Sequence, residues 1–217
     1  MTRLVLFDLD GTLVDSAPGI HASVRFAARE LGVPDPTPAQ LTAMVGPPLQ
    51  DGFAVTFGLT GADIGRAVAA YRARYTAGAM FDAWPYPGIP DLLSALGADG
   101  ATLVVATSKP ESFAVRILEH VGLLGHFASV HGATLDGAVR HKDQVVAAAL
   151  AAHPGGVDPV LVGDRAQDVL GAAAHGVPCI GAGWGPAPEG ELEAAGAVAV
   201  AATPADVLTL LARRIGG

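Results

Sequence analysis

The sequence predicts an α/β protein with a doubly wound parallel sheet core and an inserted all-helical cap domain. Short apolar segments with little alternation recur along the 217-residue chain, as is typical of strands buried on both faces of a sheet. Helical stretches separate these segments, and right-handed crossovers between them give a doubly wound, Rossmann-like arrangement. One long stretch after the first strand breaks the alternation, because only helices are predicted there.

The core elements follow from the apolar segments and from the helical stretches between them. Strands are predicted at residues 3–7, 102–106, 129–132, 160–162, 178–181 and 197–200. Helices are predicted at 110–121, 142–153 and 165–175. A last helix is expected to begin at Thr203 and Pro204, because Thr before Pro is a common helix start.

The inserted stretch contains four predicted helices and no convincing strand. The first, at 19–31, is expected to end at Gly32, since glycine commonly terminates a helix. The next begins at Thr37, where the sequence TPAQ forms a capping box with proline at the first helical position. Two further helices are predicted at 49–57 and 64–77.

These elements divide the chain into two predicted domains. Residues 1–15 and 82–217 form the core, and residues 16–81 form a helical cap over the carboxyl edge of the sheet. The joints are expected near 14–16 and 81–87, and the second contains the proline-rich sequence WPYPG, which argues for a stiff connector.

Composition and sequence pattern argue against several classes of protein. The chain is 51% apolar and carries a net charge of -8 without a basic run, which argues against nucleic-acid binding. The N-terminus lacks a secretory pattern, and no stretch approaches the roughly 18 apolar residues of a spanning helix.

Because Cys179 is the single cysteine, no internal disulfide is possible. We expect a cytoplasmic monomer or homodimer without a membrane partner, and a core position for the Cys179 thiol.

Two acids follow the first predicted strand directly. Asp8 and Asp10 are succeeded by Gly11 and Thr12, and aspartate at a strand end is commonly no more than a turn residue. Ligands of open parallel sheets, however, bind outside the carboxyl ends of the strands. Side chains two apart on an extended chain point the same way, so both acids can face one site.

Other polar residues follow the remaining strands. Thr107, Ser108 and Lys109 come after the second strand. Lys142 opens the helix after the third strand, and Asp164 follows the fourth strand, with Asp168 four residues further on. Two carboxylates about 4 Å apart repel by roughly 4 kcal/mol at an effective dielectric near 20, a cost that a bound cation removes. All-oxygen ligands suit Mg²⁺, whereas a zinc site would need histidine or cysteine, and the seven histidines are scattered.

This set of residues also fits phosphate chemistry. A carboxylate such as Asp8 can act as a nucleophile, and a second one such as Asp10 can protonate a leaving oxygen and then activate water. Thr107 and Lys142 can hold phosphoryl oxygens by hydrogen bond and charge. Backbone N–H groups near Gly11 would add further donors.

Four motifs in this order resemble those of the haloacid dehalogenase superfamily of phosphatases. They are DLDGT at 8–12, Thr107, Lys142 and GDRAQD with its two acids, and the resemblance covers nearly the whole chain. It implies that Asp8 attacks phosphorus and forms a phosphoaspartate, with Asp10 as general acid and base. It also implies a Mg²⁺ held by the side chains of Asp8 and Asp164 and by the backbone carbonyl of Asp10. Asp168 would support the metal shell or the lysine, while Thr107 and Lys142 would orient the phosphoryl group.

The expected substrate-binding residues are Gly11, Thr12, Ser108, Lys109 and Gly46. Alternatives remain for some of them: Ser108 and Lys109 either touch the ligand or start a helix, and Gly46 lies in a substrate-facing loop or in a tight turn.

Other polar residues of the insert have simpler explanations. For Arg66, Arg72 and Arg74 a solvated helix face is favoured over substrate contact. Asp15 and Ser16 belong either to a helix cap or to the hinge, and a cap of the first helix of the insert is favoured.

Sequence features also narrow the choice within the family. Asp10 favours phosphate chemistry over dehalogenation, and residues 1–105 lack the lysine that phosphonate-hydrolysing members use. The run LDGAVRHKDQVVAAAL resembles bacterial phosphoglycolate phosphatases or 5′-nucleotidases. We expect a Mg²⁺-dependent phosphatase of phosphoglycolate-like phosphomonoesters, with a 5′-nucleotidase or sugar phosphomutase as the alternative. A non-catalytic module that binds a phosphorylated ligand is disfavoured because every catalytic acid is present.

Overall fold

The structure is a computed structural model that describes residues 2–214. Its strands are β1 (Thr2–Phe7), β2 (Val14–Asp15), β3 (Trp84–Pro85), β4 (Thr102–Pro110), β5 (Ser129–Ala133), β6 (Gly156–Gly163), β7 (Cys179–Ala182) and β8 (Ala199–Ala201). Its α-helices are α1 (Ala17–Leu31), α2 (Pro38–Ala43), α3 (Leu49–Phe57), α4 (Ala62–Thr76), α5 (Ile89–Ala98), α6 (Glu111–His120), α7 (Lys142–Ala152), α8 (Ala166–Ala173), α9 (Glu191–Ala195) and α10 (Pro204–Arg214).

Six of the strands form one parallel sheet in the order β5-β4-β1-β6-β7-β8. All six predicted core strands are confirmed, with ends shifted by a few residues. The central strand β1 pairs with β4 on one side and with β6 on the other. The chain order reverses there, and in such sheets the crevice at the carboxyl ends of the strands is where ligands bind.

Alternate residues of β1 explain why its sequence is apolar throughout. Val5 and Phe7 belong to the hydrophobic cluster on one face of the sheet, and Leu4 and Leu6 belong to the cluster on the other. Helices cover both faces, because α5, α6 and α10 contribute to the first cluster and α7 and α8 to the second. The doubly wound α/β class is therefore confirmed.

Helices α1–α4 form the inserted stretch, and their predicted ends are largely confirmed. Gly32 ends α1 in the left-handed conformation at φ 68°, and Thr37 begins α2 with the expected capping box. The two predicted joints pair with each other as a short antiparallel ribbon, β2 with β3. The division into a core and a cap of residues 16–81 stays a prediction.

The sequence analysis missed helices α5 and α9, the two strands of the β2–β3 ribbon, and short 3₁₀ helices at Ala79–Phe81 and Leu124–His126. The ribbon strands are only two residues long, too short for any periodicity to be visible.

Cys179 is buried within β7, as expected of a core thiol. Among the residues described, no helix has both the length and the apolar character needed to cross a membrane.

Gly19 marks a close approach that can be tested. A Cβ at this position in α1 would lie 3.0 Å from the carbonyl carbon of Ala79 and nearer still to its oxygen. We expect Gly19→Ala to lower the free energy of unfolding by about 1–3 kcal/mol in urea denaturation. The control Gly65→Ala in α4 has no atom within 4 Å and should gain up to about 1 kcal/mol from helix propensity. Equal gains in both variants would contradict the close packing of α1.

Candidate active site

The predicted acids meet at the carboxyl edge of the sheet. Asp8 follows β1, Asp164 follows β6, and Thr107 lies towards the carboxyl end of β4, so three neighbouring strands contribute to one place. Their exposed fractions are 3%, 0% and 1%, which makes the edge a buried polar cluster rather than a set of surface turns.

Lys142, the first residue of α7, extends into this cluster. Its Nζ donates to Asp8 Oδ1 at 2.6 Å and to the carbonyl oxygen of Ala106 at 2.9 Å, and it forms an ion pair with Asp168 Oδ1 at 2.6 Å. The path of its side chain requires a glycine on α8, since a Cβ at Gly171 would lie 2.6 Å from Lys142 Cγ. The lysine is therefore fixed between two acids of different elements.

Asp168 is held from its other side as well. Its Oδ2 accepts a hydrogen bond from the backbone N–H of Arg165 at 3.0 Å, which caps the start of α8. The side chain is fully buried. Asp168 thus ties the start of α8 to Lys142, and its predicted support of the metal shell stays a prediction.

Asp164 has one oxygen satisfied and one unpaired. Thr12 Oγ1 donates to its Oδ1 at 2.9 Å, while its buried Oδ2 has no hydrogen-bond partner among the residues described. Gly11 adopts φ 87°, and a Cβ there would lie 2.6 Å from Asp164 Cγ. Gly11 and Thr12 therefore support Asp164 in this structure, and their predicted contact with substrate stays a prediction.

Asp10 is held separately from the other acids. Ser16 Oγ donates to its Oδ1 at 2.6 Å, and Lys109 Nζ forms an ion pair with its Oδ2. Ser16 occupies the N-cap position of α1 as expected, but its side chain makes no capping hydrogen bond because its hydroxyl donates to Asp10. Asp15 Oδ1 accepts from the backbone N–H of Ala17 instead. Lys109 is still in β4, so it does not start a helix.

The carboxylates of Asp8, Asp164 and Asp168 form a possible metal site, with one oxygen of each within 4.8 Å of the others. Burial and the neighbouring acids raise the pKa of Asp164. Burial also raises the pKa of Asp8 to about 6, although Lys142 opposes this shift. The unpaired Asp164 oxygen and the all-carboxylate donor set fit a hard divalent cation such as Mg²⁺. The Asp10 carboxylate lies outside this group, and coordination by its backbone carbonyl stays a prediction.

A pocket of about 660 Å³, including its open mouth, adjoins Asp10. Its lining residues come from β4, α1, α4, α6, the loop at 44–48 with the start of α3, and the end of β5 with the loop at 134–140. They include the predicted Ser108, Lys109 and Gly46. Arg165 holds the first loop in place, because its guanidinium donates to the carbonyl oxygen of Val45 at 2.6 Å.

The three arginines of α4 have different environments. Arg66 and Arg74 are exposed, and Arg66 pairs with the exposed Asp63, as expected for a solvated helix face. For Arg72 that expectation is wrong, since its side chain lines the pocket. Sequence spacing places Arg72 next to the buried Tyr71 and one helical turn from the buried Tyr75, but it does not reveal the loop at 134–140 that faces them.

The fold and the buried acids define a hydrolase of the haloacid dehalogenase type. A family model described as haloacid dehalogenase-like hydrolase matches residues 5–182, and the chain belongs to this family. The similarity to the family that the four motifs indicated is thereby confirmed.

Several relatives show what the chain resembles. A 5′-nucleotidase of Pseudomonas aeruginosa is 42% identical over 88% of this chain and 86% of its own length. The tyrosine-protein kinase PtkA of Mycobacterium tuberculosis is 45% identical over 84% of this chain but only 62% of its own. A phosphoglycolate phosphatase of Caulobacter vibrioides is 36% identical over 80% of this chain and 76% of its own length.

The fold has a close counterpart among solved structures. A predicted phosphatase from Clostridium acetobutylicum superposes with a TM-score of 0.93 at 35% identity, covering 98% of this chain and 99% of that one.

The ion pairs of Lys142 can be tested through stability. Lys142→Met would leave Asp8 and Asp168 buried without their cation, and removing one partner of a buried pair costs about 3–5 kcal/mol. We expect this loss in urea denaturation without divalent cations. The control Arg66→Met breaks an exposed ion pair and should change stability by less than about 1 kcal/mol. A similarly small change for Lys142→Met would show that the buried pairs contribute little.

Proposed function

We propose that the protein is a Mg²⁺-dependent phosphatase that hydrolyses small phosphomonoesters through an aspartyl-phosphate on Asp8. The observation that carries this proposal is the placement of Asp8 at the end of the central strand, with Lys142 on one of its oxygens. The unpaired oxygen of Asp164 nearby supports the metal, and Asp10 supplies a second, separately held acid. The relatives named as phosphatases support the reaction class.

The reaction divides into two steps on these residues. Lys142 orients the Asp8 carboxylate, which attacks phosphorus while the bond from phosphorus to the ester oxygen breaks. Asp10 donates a proton to that departing oxygen. It then takes a proton from a water molecule that attacks the phosphoaspartate, so that phosphate leaves and free Asp8 is restored. Ser16 and Lys109 fix the direction of the Asp10 carboxylate for both transfers.

The metal would be held by the side chains of Asp8 and Asp164 and by the backbone carbonyl of Asp10, with Asp168 supporting this shell through Lys142. Mg²⁺ supplies positive charge that offsets the carboxylates and the phosphoryl oxygens. Thr107 and Lys142 are proposed to orient the phosphoryl group, and Ser108 is proposed to contact the substrate. Residues 16–81 are proposed to act as a cap that opens for substrate exchange.

Phosphoglycolate-like acids are the first candidate substrates, since the adjoining pocket is lined by Arg72, Lys109 and Arg140. Nucleoside 5′-monophosphates are the second candidate. They are favoured by the aromatic lining from Tyr71, Tyr75 and Phe113 and by the similarity to a 5′-nucleotidase. We propose a cytoplasmic location for this activity, on the grounds of the single cysteine.

The nucleophile can be tested with Asp8→Asn. We expect phosphate release from phosphoglycolate and adenosine 5′-monophosphate to fall by at least about 10³-fold, because the amide cannot attack phosphorus. The matched control Asp99→Asn changes an exposed acid away from the site and should retain activity. Retained turnover in Asp8→Asn would remove the nucleophile assignment. Isomer exchange of sugar phosphates, or phosphate transfer from ATP to protein, without ester hydrolysis would contradict the phosphatase.

The metal site can be tested without an activity measurement. Mg²⁺ at a hundredfold excess over its Kd should stabilise the folded protein by about 2.7 kcal/mol, because it binds only the folded state. For a chain of this size each kcal/mol raises Tm by about 2–4 °C. Asp164→Asn should abolish the rise, while Asp143→Asn, an exposed acid on α7, should keep it. An unchanged Tm of the parent protein on addition of Mg²⁺ would contradict the proposed cofactor.

A further inference from the structure

The pocket beside Asp10 contains polar groups that the reaction steps above do not use. Arg72 Nε and Tyr75 Oη are both buried and without a hydrogen-bond partner among the described residues, and so is Ser108 Oγ. Tyr75 is 1% exposed and Ser108 is 7% exposed, and all three residues line the pocket. Leaving a buried polar group unpaired costs about 1–3 kcal/mol, so these donors point to a ligand with acceptor oxygens.

The charged residues that line the pocket also favour a ligand with acceptor oxygens. Its lining includes three basic residues and one acid, Asp10, in a chain whose net charge is -8. Two of the basic residues already face a carboxylate: Lys109 pairs with Asp10, and Arg140 lies 3.7 Å from Asp51. Over residues 2–214, no carboxylate lies within ion-pair distance of Arg72.

Arg72 is nevertheless held in position. One terminal nitrogen of its guanidinium donates to the carbonyl oxygen of Leu135 at 3.1 Å, across a sequence separation of 63 residues. This bond leaves Nε unpaired. On the same helix, Tyr71 and Tyr75 stack with ring centroids 5.2 Å apart, and Phe113 of α6 lies 5.9 Å from Tyr75. The free cation therefore lies beside an aromatic surface in the pocket.

We propose that Arg72, together with Tyr75 and Ser108, forms a subsite for a carboxylate on the leaving group of the substrate. The proposal rests on the proposed phosphatase and names the class of ester that it takes, an organic phosphate that carries a carboxylate. A guanidinium with a free edge matches the two oxygens of a carboxylate, and the two hydroxyls can donate to the same oxygens. A nucleoside leaving group offers no such charge.

The test compares two esters that differ only in this group, phosphoglycolate and ethyl phosphate. We expect Arg72→Gln to lower the ratio of kcat/KM for phosphoglycolate to kcat/KM for ethyl phosphate by at least tenfold, through loss of charge-assisted hydrogen bonds. Arg72→Lys should restore part of this ratio. Arg74→Gln, which removes an exposed arginine from the same helix, should leave the ratio unchanged.

An equal loss on both esters would overturn the proposal, since it would show a structural function for Arg72. An unchanged ratio would also overturn it. Adenosine 5′-monophosphate is the third substrate, and a loss for it as large as that for phosphoglycolate would overturn the assignment of a carboxylate.

Calorimetry measures binding at the proposed subsite independently of hydrolysis. In the Asp8→Asn background with Mg²⁺, Arg72→Gln should weaken phosphoglycolate binding at least tenfold more than ethyl phosphate binding. If the parent enzyme hydrolyses neither ester, the proposed function fails, but this differential loss of affinity would still support the subsite. Equal weakening of both esters, or no measurable phosphoglycolate binding to the Asp8→Asn protein, would overturn it.

Discussion

Three buried carboxylates with a single lysine among them are the constraint on which the rest of this structure depends. Asp8, Asp164 and Asp168 cluster at the end of a parallel sheet, and Lys142 compensates only the first and the last of them. Two such charges about 4 Å apart repel by roughly 4 kcal/mol at an effective dielectric near 20. The fold therefore keeps uncompensated negative charge at this edge, which the proposed cation would offset.

Close backbone packing is what holds these charges together. A Cβ at Gly11 would overlap Asp164, one at Gly163 would lie 2.5 Å from Asp168 Cβ, and one at Gly171 would overlap Lys142. Each glycine thus lies where a charged side chain of another position must pass. Burial of the hydrophobic clusters on the two faces of the sheet contributes the folding free energy that offsets the cost of holding these charges close together.

The sequence predicts most of the fold because its signals are local. Apolar segments and helix starts identify the six core strands, and the acids at the strand ends follow from the parallel topology. The expectation for the Ser16 side chain fails because a serine before a helix has an ordinary local explanation, whereas its bond to Asp10, only six residues earlier, depends on how the chain turns after β1. The expectation for Arg72 fails for a different reason, since the loop that contains Leu135 lies 63 residues away in sequence. Contacts between distant segments are what local patterns cannot encode.

The positions of the two lysines of the chain explain how the neighbouring acids Asp8 and Asp10 can be held in different environments. Lys142 and Lys109 are its only lysines, and both are buried at this site. Asp8 and Asp10 would face the same way on an extended strand and would repel each other. Instead, the two acids pair with different cations, Lys109 with Asp10 and Lys142, which also pairs with Asp168, with Asp8. Because the two lysines come from different elements, each carboxylate can be oriented independently, as the proposed nucleophile and proton carrier require.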